Sequence, residues 1–180
     1  CLRAFLLHVV CEILSYSFIL NFPYALRHGG ISAAKTVFLS TGMATISEVK
    51  QSLSRLNKVN KCFILHCVTQ YPCKDENANL LAIHTLQKEI PNFVIGYSDH
   101  TIGDLAPILS VGLGAKVIEK HFTFDKNAKD GTDHSISLEP NELKDMVNKI
   151  KRTELLLGSE NKIPTADEYK IRNFVRSRFV

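Results

Sequence analysis

The sequence predicts an α/β fold, part of a (β/α)8 TIM barrel comprising roughly its last four to five βα units. Three observations predict it. From Thr36 onward, short apolar runs alternate with amphipathic stretches at a spacing of roughly 25–30 residues, as βα units do. The apolar runs are continuous rather than alternating, as in parallel strands buried on both faces. Each run ends in polar residues, where barrel enzymes carry their chemistry. A doubly wound open sheet competes. It calls for a glycine-rich turn after its first strand, and STGMAT (40–45) has a single glycine. A whole barrel takes about 200 residues or more, and this chain has 180.

The elements follow in order. TVFLS (36–40) reads as a strand, and TISEVKQSLSRLNK (45–58) as a helix with Ile46, Val49, Leu53 and Leu56 on one face. KCFILHC (61–67) is the second strand, followed by a helix near Asn77–Glu89. FVIGYS (93–98) is the third strand, with a helix near Asp104–Gly112. AKVIEKHF (115–122) is the fourth strand. A long loop then leads to EPNELKDMVNKIKRTELLL (139–157), a helix with Leu143, Met146, Val147 and Ile150 on one face. A degenerate fifth unit is expected near residues 11–30. The expected organisation is a divergent or truncated barrel start over 1–35, barrel units with the active-site rim over 36–158, and a linker over 159–180.

Composition excludes several classes. Hydrophobic residues make up 45% and charged residues 22%, which suits a packed soluble core. The net charge of +4 is spread along the chain apart from a basic end, Lys170 to Arg178, and no basic block alternates with aromatics, so no nucleic-acid partner is expected. Five cysteines form neither a CxxC pair nor a zinc spacing, and free thiols in a cytoplasmic protein are expected. CLRAFLLHVVCEILSYSFIL (1–20) is interrupted by His8 and Glu12, and no small-residue cleavage site follows. A buried helix and strand, not a membrane span, is expected there.

The strand ends deliver Ser40 and Thr41, His66 with Thr69 and Tyr71 beyond it, Ser98 with His100, and Glu119 with His121. Strand side chains alternate, so Ser98 and His100 share one face, as do Glu119 and His121. On the barrel interior, His100 and His121 would lie a few ångströms apart and suit a first-row divalent ion. The alternative is a pair of hydrogen-bonded structural histidines. His66 reads as structural, and His84 and His134 as surface or packing residues.

LSTGMAT, LHCVTQYP, GYSDHTIG, LGAKVIEKHFTFD and DHSISLEPNEL together resemble, in order and spacing, the sialic acid synthase family, which includes legionaminate and pseudaminate synthases. The resemblance runs from Thr36 to Gly158. It implies a barrel that condenses phosphoenolpyruvate with an N-acylated mannosamine-type sugar, giving a nine-carbon 2-keto acid and phosphate. Its alternatives are another metal-dependent, phosphoenolpyruvate-using keto-sugar-acid synthase or aldolase, and a catalytically dead remnant. The resemblance implies that His100 and His121 bind Mn²⁺ or Mg²⁺, that Ser40, Thr69 and Ser98 hold phosphoenolpyruvate, and that Tyr71 and Asp133 contact the acceptor sugar. Glu119 is expected as a proton shuttle or a partner behind the metal ligands, with an ion pair to a barrel lysine as the alternative. The resemblance further implies a homodimer for the full-length protein. The family's lysine-bearing strand before STGM has its nearest counterpart in CEILSYSF, where Glu12 replaces the lysine, Ser15 matches a serine and Ser17 replaces an acid. The first barrel strands and a C-terminal antifreeze-like domain have no counterpart in these 180 residues, and the isolated chain is expected to be inactive and marginal in stability.

Overall fold

A computed structural model describes residues 6–11, 36–56, 61–129 and 133–178, the first group by its backbone course. The strands are β1 (Leu6–Cys11), β2 (Thr36–Ser40), β3 (Lys61–Cys67), β4 (Val94–Asp99) and β5 (Val117–Phe122). The helices are α1 (Ile46–Ser54), α2 (Ala82–Glu89), α3 (Leu105–Gly112), α4 (Pro140–Leu157) and α5 (Ala166–Arg176).

All strand pairs are parallel, in the order β1-β5-β4-β3-β2. Strands β2 to β5 lie side by side in chain order, without the reversal of a doubly wound sheet. The first strand pairs with the last, the adjacency that closes a barrel. The fold is therefore a partial (β/α)8 barrel. The first described strand, Leu6–Cys11, lies beside β5, and the rest of CEILSYSF lies outside the described residues. Glu12, Ser15 and Ser17 fall outside the described residues.

Strand alternation divides the sheet into two faces. Val37, Leu39, Ile64, Ile95, Tyr97 and Ile118 point outward, into one core with Val49 of α1, Ile83 and Leu86 of α2, Ala106 and Val111 of α3, and Met146 and Ile150 of α4. The inward face carries Ser40, Leu65, Cys67, Gly96, Ser98, Val117 and Glu119, as the register requires. Gly96 has no room for a side chain. A Cβ there would lie 2.6 Å from a Leu65 methyl, 2.6 Å from the Val117 carbonyl oxygen and 2.8 Å from Val117 Cβ. Gly96→Ala should therefore destabilise the chain by about 1–3 kcal/mol in urea denaturation, since backbone cannot yield as a side-chain tip can.

The helix starts are locally encoded. Thr45 and Glu48 form a reciprocal capping box at α1, and Thr165 and Glu168 another at α5. Pro140 opens α4, where the Glu142 carboxylate accepts from the Glu139 N–H. One element boundary is corrected. The helix expected near Asn77–Glu89 starts only at Ala82, because Asp75–Asn77 is a 3₁₀ turn and Asn79 adopts a left-handed φ of 47°. The expected linker over 159–180 contains α5, an amphipathic helix with no buried residue. Among the described residues no helix is long and apolar enough to cross a membrane.

Candidate active site

The two histidines meet on the inward face. β4 and β5 pair Ser98 with Glu119 and Asp99 with Lys120, so the next step along both strands brings His100 opposite His121. Their ring centroids are 5.3 Å apart. His100 is buried, and its Nδ1–H donates to the Val68 carbonyl at 2.8 Å. The bond fixes the tautomer and leaves Nε2 with a free lone pair. His121 is half-buried. Its Nδ1 is sealed from solvent and has no hydrogen-bond partner, and the nearest Asp133 carboxylate oxygen stands 3.9 Å away. Burial, then the adjacent His100, pushes the His121 pKa down to about 4, while Asp133 pulls the other way. His121 is thus a neutral imidazole around pH 7, the form that ligates metals.

This donor set fits a divalent cation. A tautomer fixed from behind by a backbone carbonyl is the usual support for a ligating histidine. A buried, unpartnered ring nitrogen carries a desolvation cost that ligation or a closer partner would offset. Among the described residues no group of three or more His, Cys, Asp and Glu side chains forms a metal site, so two imidazoles leave most of an octahedral shell to substrate oxygens and water.

The remaining residues surround this pair. Tyr71 tilts over His100 with centroids 4.0 Å apart and meets His121 edge-on at 5.9 Å. Burial first, then the charges of Cys67, Asp133 and Glu119, pushes its hydroxyl up to about 12, so it remains a donor. Ser98 donates to Glu119 Oε1 at 2.7 Å, both side chains being buried. Thr69 lies over Gly42: a Cβ on that glycine would come within 2.1 Å of the Thr69 hydroxyl and 3.4 Å of Cys67 Sγ. Ser40 ends β2 on the same face. Lys120, the neighbour of Glu119 in sequence, faces outward and binds Asp99. His66 is structural; its Nε2 bonds the Ala78 carbonyl at 2.9 Å and its ring stacks on Tyr97.

Two features escape the sequence reading. Cys67 lies on the floor of the site, 3.9 Å from His100 Nδ1. Its thiol is pushed up to about 11, mainly by burial, so it is not a thiolate near neutral pH. Its place in the strand alternation, two residues after Leu65, was the available signal. The second is a fully buried polar cluster directly behind the histidines. Lys120 Nζ donates to Asp99 Oδ2 at 2.7 Å and also to the Thr101 carbonyl; both charged side chains are at most 1% exposed. Asp99 further accepts from the Tyr97 hydroxyl, the Thr101 N–H and the Thr101 hydroxyl.

Comparison with known proteins identifies the family. Residues 15–162 match the NeuB family. The chain is similar to the uncharacterized protein MJ1065 of Methanocaldococcus jannaschii, 49% identical over 147 residues, covering 81% of this chain and 43% of that protein. It is similar to the N,N'-diacetyllegionaminic acid synthase of Legionella pneumophila, 42% identical over 164 residues, covering 88% of this chain and 45% of that enzyme. The crystal structure of N-acetylneuraminic acid (sialic acid) synthetase from Leptospira borgpetersenii serovar Hardjo-bovis superposes with a TM-score of 0.71 at 40% identity, over 79% of this chain and 50% of that one. The chain thus spans less than half the length of these two curated relatives.

Proposed function

We propose, from the premise that this chain belongs to the NeuB family, that it carries the cation-binding part of a nonulosonate synthase. The reaction condenses phosphoenolpyruvate with an N-acylmannosamine-type sugar, giving a nine-carbon 2-keto sugar acid and phosphate. The observation that carries this reading is the pair of imidazoles, 5.3 Å apart, on the same face as the Ser98–Glu119 pair.

His100 and His121 would hold Mn²⁺ or Mg²⁺. When bound, such an ion supplies positive charge that polarises the aldehyde oxygen of the open-chain sugar. The hydroxyls of Ser40 and Thr69 donate to the phosphate and carboxylate oxygens of phosphoenolpyruvate, and Ser98 joins them when its single O–H turns from Glu119 to the substrate. Gly42, bare of a side chain beside Thr69, lets those oxygens approach the backbone. Tyr71 and Asp133 line the acceptor side, Tyr71 as a hydroxyl donor and Asp133 as an acceptor for sugar hydroxyls. The C3 carbon of phosphoenolpyruvate attacks the aldehyde carbon, and the aldehyde oxygen gains a proton. Water adds at C2, and the C2–O bond to phosphate then breaks. Glu119, beside Ser98, serves as the proton shuttle for that water. Free Cys62, Cys67 and Cys73 suit a cytoplasmic enzyme, and the complete protein acts as a homodimer.

The test is phosphate release from phosphoenolpyruvate. The chain is joined to the segments of the Legionella pneumophila relative that lie outside the matched span. It is then assayed with Mn²⁺ and, in parallel, N-acetylmannosamine, its 6-phosphate and a 6-deoxy diamino analogue. Acceptor-dependent release that stops on chelation is expected, and the acceptor that works identifies the sugar. Absence of release with all three, or release indifferent to chelator, overturns the proposal.

A further inference from the structure

The ladder between β4 and β5 ends at the Asp99–Lys120 pair. His100 and His121 both lie one residue beyond this last pair. A buried side-chain cluster reinforces the ladder at that step. Asp99 precedes His100 and Lys120 precedes His121, and the two side chains join on the outward face at 2.7 Å. The residue after His100 is tied to the same cluster. The Thr101 N–H donates to Asp99 Oδ1 at 2.9 Å, its hydroxyl donates to Asp99 Oδ2 at 3.1 Å, and its carbonyl accepts from Lys120 Nζ. The chain from Asp99 to Thr101 is thus closed around one carboxylate and bolted to β5 by one ammonium.

Burying two charges to this depth is costly, and an apolar pair of similar volume often serves stability as well or better. A buried pair is therefore weak grounds for a stabilising role, and its location decides what else it does. Here it flanks both histidines and spans the two strands that carry them.

We propose that the buried Asp99–Lys120 pair is a positioning device that sets the separation and orientation of the His100 and His121 imidazoles, and through them the affinity for a divalent cation. This rests on the reading of those histidines as cation ligands. Neither Asp99 nor Lys120 reaches the inward face; they act through the backbone of the next residue.

The experiment compares the 180-residue chain with the double variant Asp99→Leu/Lys120→Met, which removes both charges together. Folding is followed by near-ultraviolet circular dichroism and urea denaturation, and Mn²⁺ uptake by electron paramagnetic resonance titration. The expected result is a folded variant whose Mn²⁺ affinity falls by about 10–100-fold, the range for losing support behind a metal ligand. A folded variant within about twofold of the parent, closer than the loss of one hydrogen bond would leave it, overturns the proposal. Should the double variant not fold, Thr101→Val removes one hydroxyl bond to Asp99 and keeps both charges. About threefold or greater weakening is then expected, in line with one hydrogen bond, and unchanged affinity overturns the proposal. If the parent itself takes up no Mn²⁺, the cation reading fails and positioning is decided on metal-free protein. ¹⁵N imidazole spectra should show a single Nδ1–H tautomer for His100 in the parent and a mixture in the folded variant. A single tautomer in both overturns the proposal.

Discussion

Lys120→Met should cost about 3–5 kcal/mol of folding free energy, although it exchanges a charged side chain for an apolar one of similar length. The loss arises at the partner. Asp99 is fully buried, and the ammonium that balances its carboxylate would be gone while its three other donors remain. The Thr101 carbonyl would also lose its donor. For a domain of this size, 3–5 kcal/mol is a large fraction of the usual 5–15 kcal/mol total. Urea denaturation of the parent and the variant measures it. A shift below about 1 kcal/mol would place the pair among exposed ion pairs, whose worth is that small. Asp99→Leu/Lys120→Met should recover most of the loss, because it leaves no orphaned charge.

His121→Ala should have the opposite profile. Mn²⁺ affinity should fall by more than about 100-fold, beyond the upper range for losing a mere supporting partner of a ligand. Stability in the metal-free chain should change by no more than about 1 kcal/mol, because His121 Nδ1 is buried without a hydrogen bond and its removal forfeits none. His100→Ala should lose Mn²⁺ equally but cost about 1 kcal/mol more, the worth of the bond to the Val68 carbonyl. Calorimetric titration with Mn²⁺ and urea denaturation of the two variants separate the effects. Retained Mn²⁺ binding in both would remove the cation from the proposed reaction.

Much of this molecule is legible in its sequence because burial writes a simple pattern. β2 and β3 coincide with the runs TVFLS and KCFILHC, since strands covered on both faces must be apolar throughout. The juxtaposition of His100 and His121 was readable because alternation places Ser98 with His100 and Glu119 with His121. The misses share physical reasons. α2 begins late because one asparagine takes a left-handed turn that composition does not announce. α5 carried a readable signal, Thr165 followed by Glu168, but its lack of any buried face made the stretch resemble a linker. The Asp99–Lys120 bond could not be read, because it depends on which residues of β4 and β5 stand opposite one another. That register is fixed by the packing of the whole sheet. Lys120 looks like an ordinary solvated charge until Asp99 is placed across from it.

The division of each strand into inward and outward residues has a consequence for how such a protein can change over time. Point substitutions at Ser98, Glu119 or Thr69 alter what the pocket recognises while the helix-facing layer keeps its fit. A single codon gained or lost within GYSD has no such freedom. It would turn Asp99 and Tyr97 toward the pocket and Ser98 toward the helices in one step, exchanging recognition for packing along the rest of the strand. Drift in substrate preference is therefore open to this scaffold by replacement, and closed to it by insertion or deletion inside the staves.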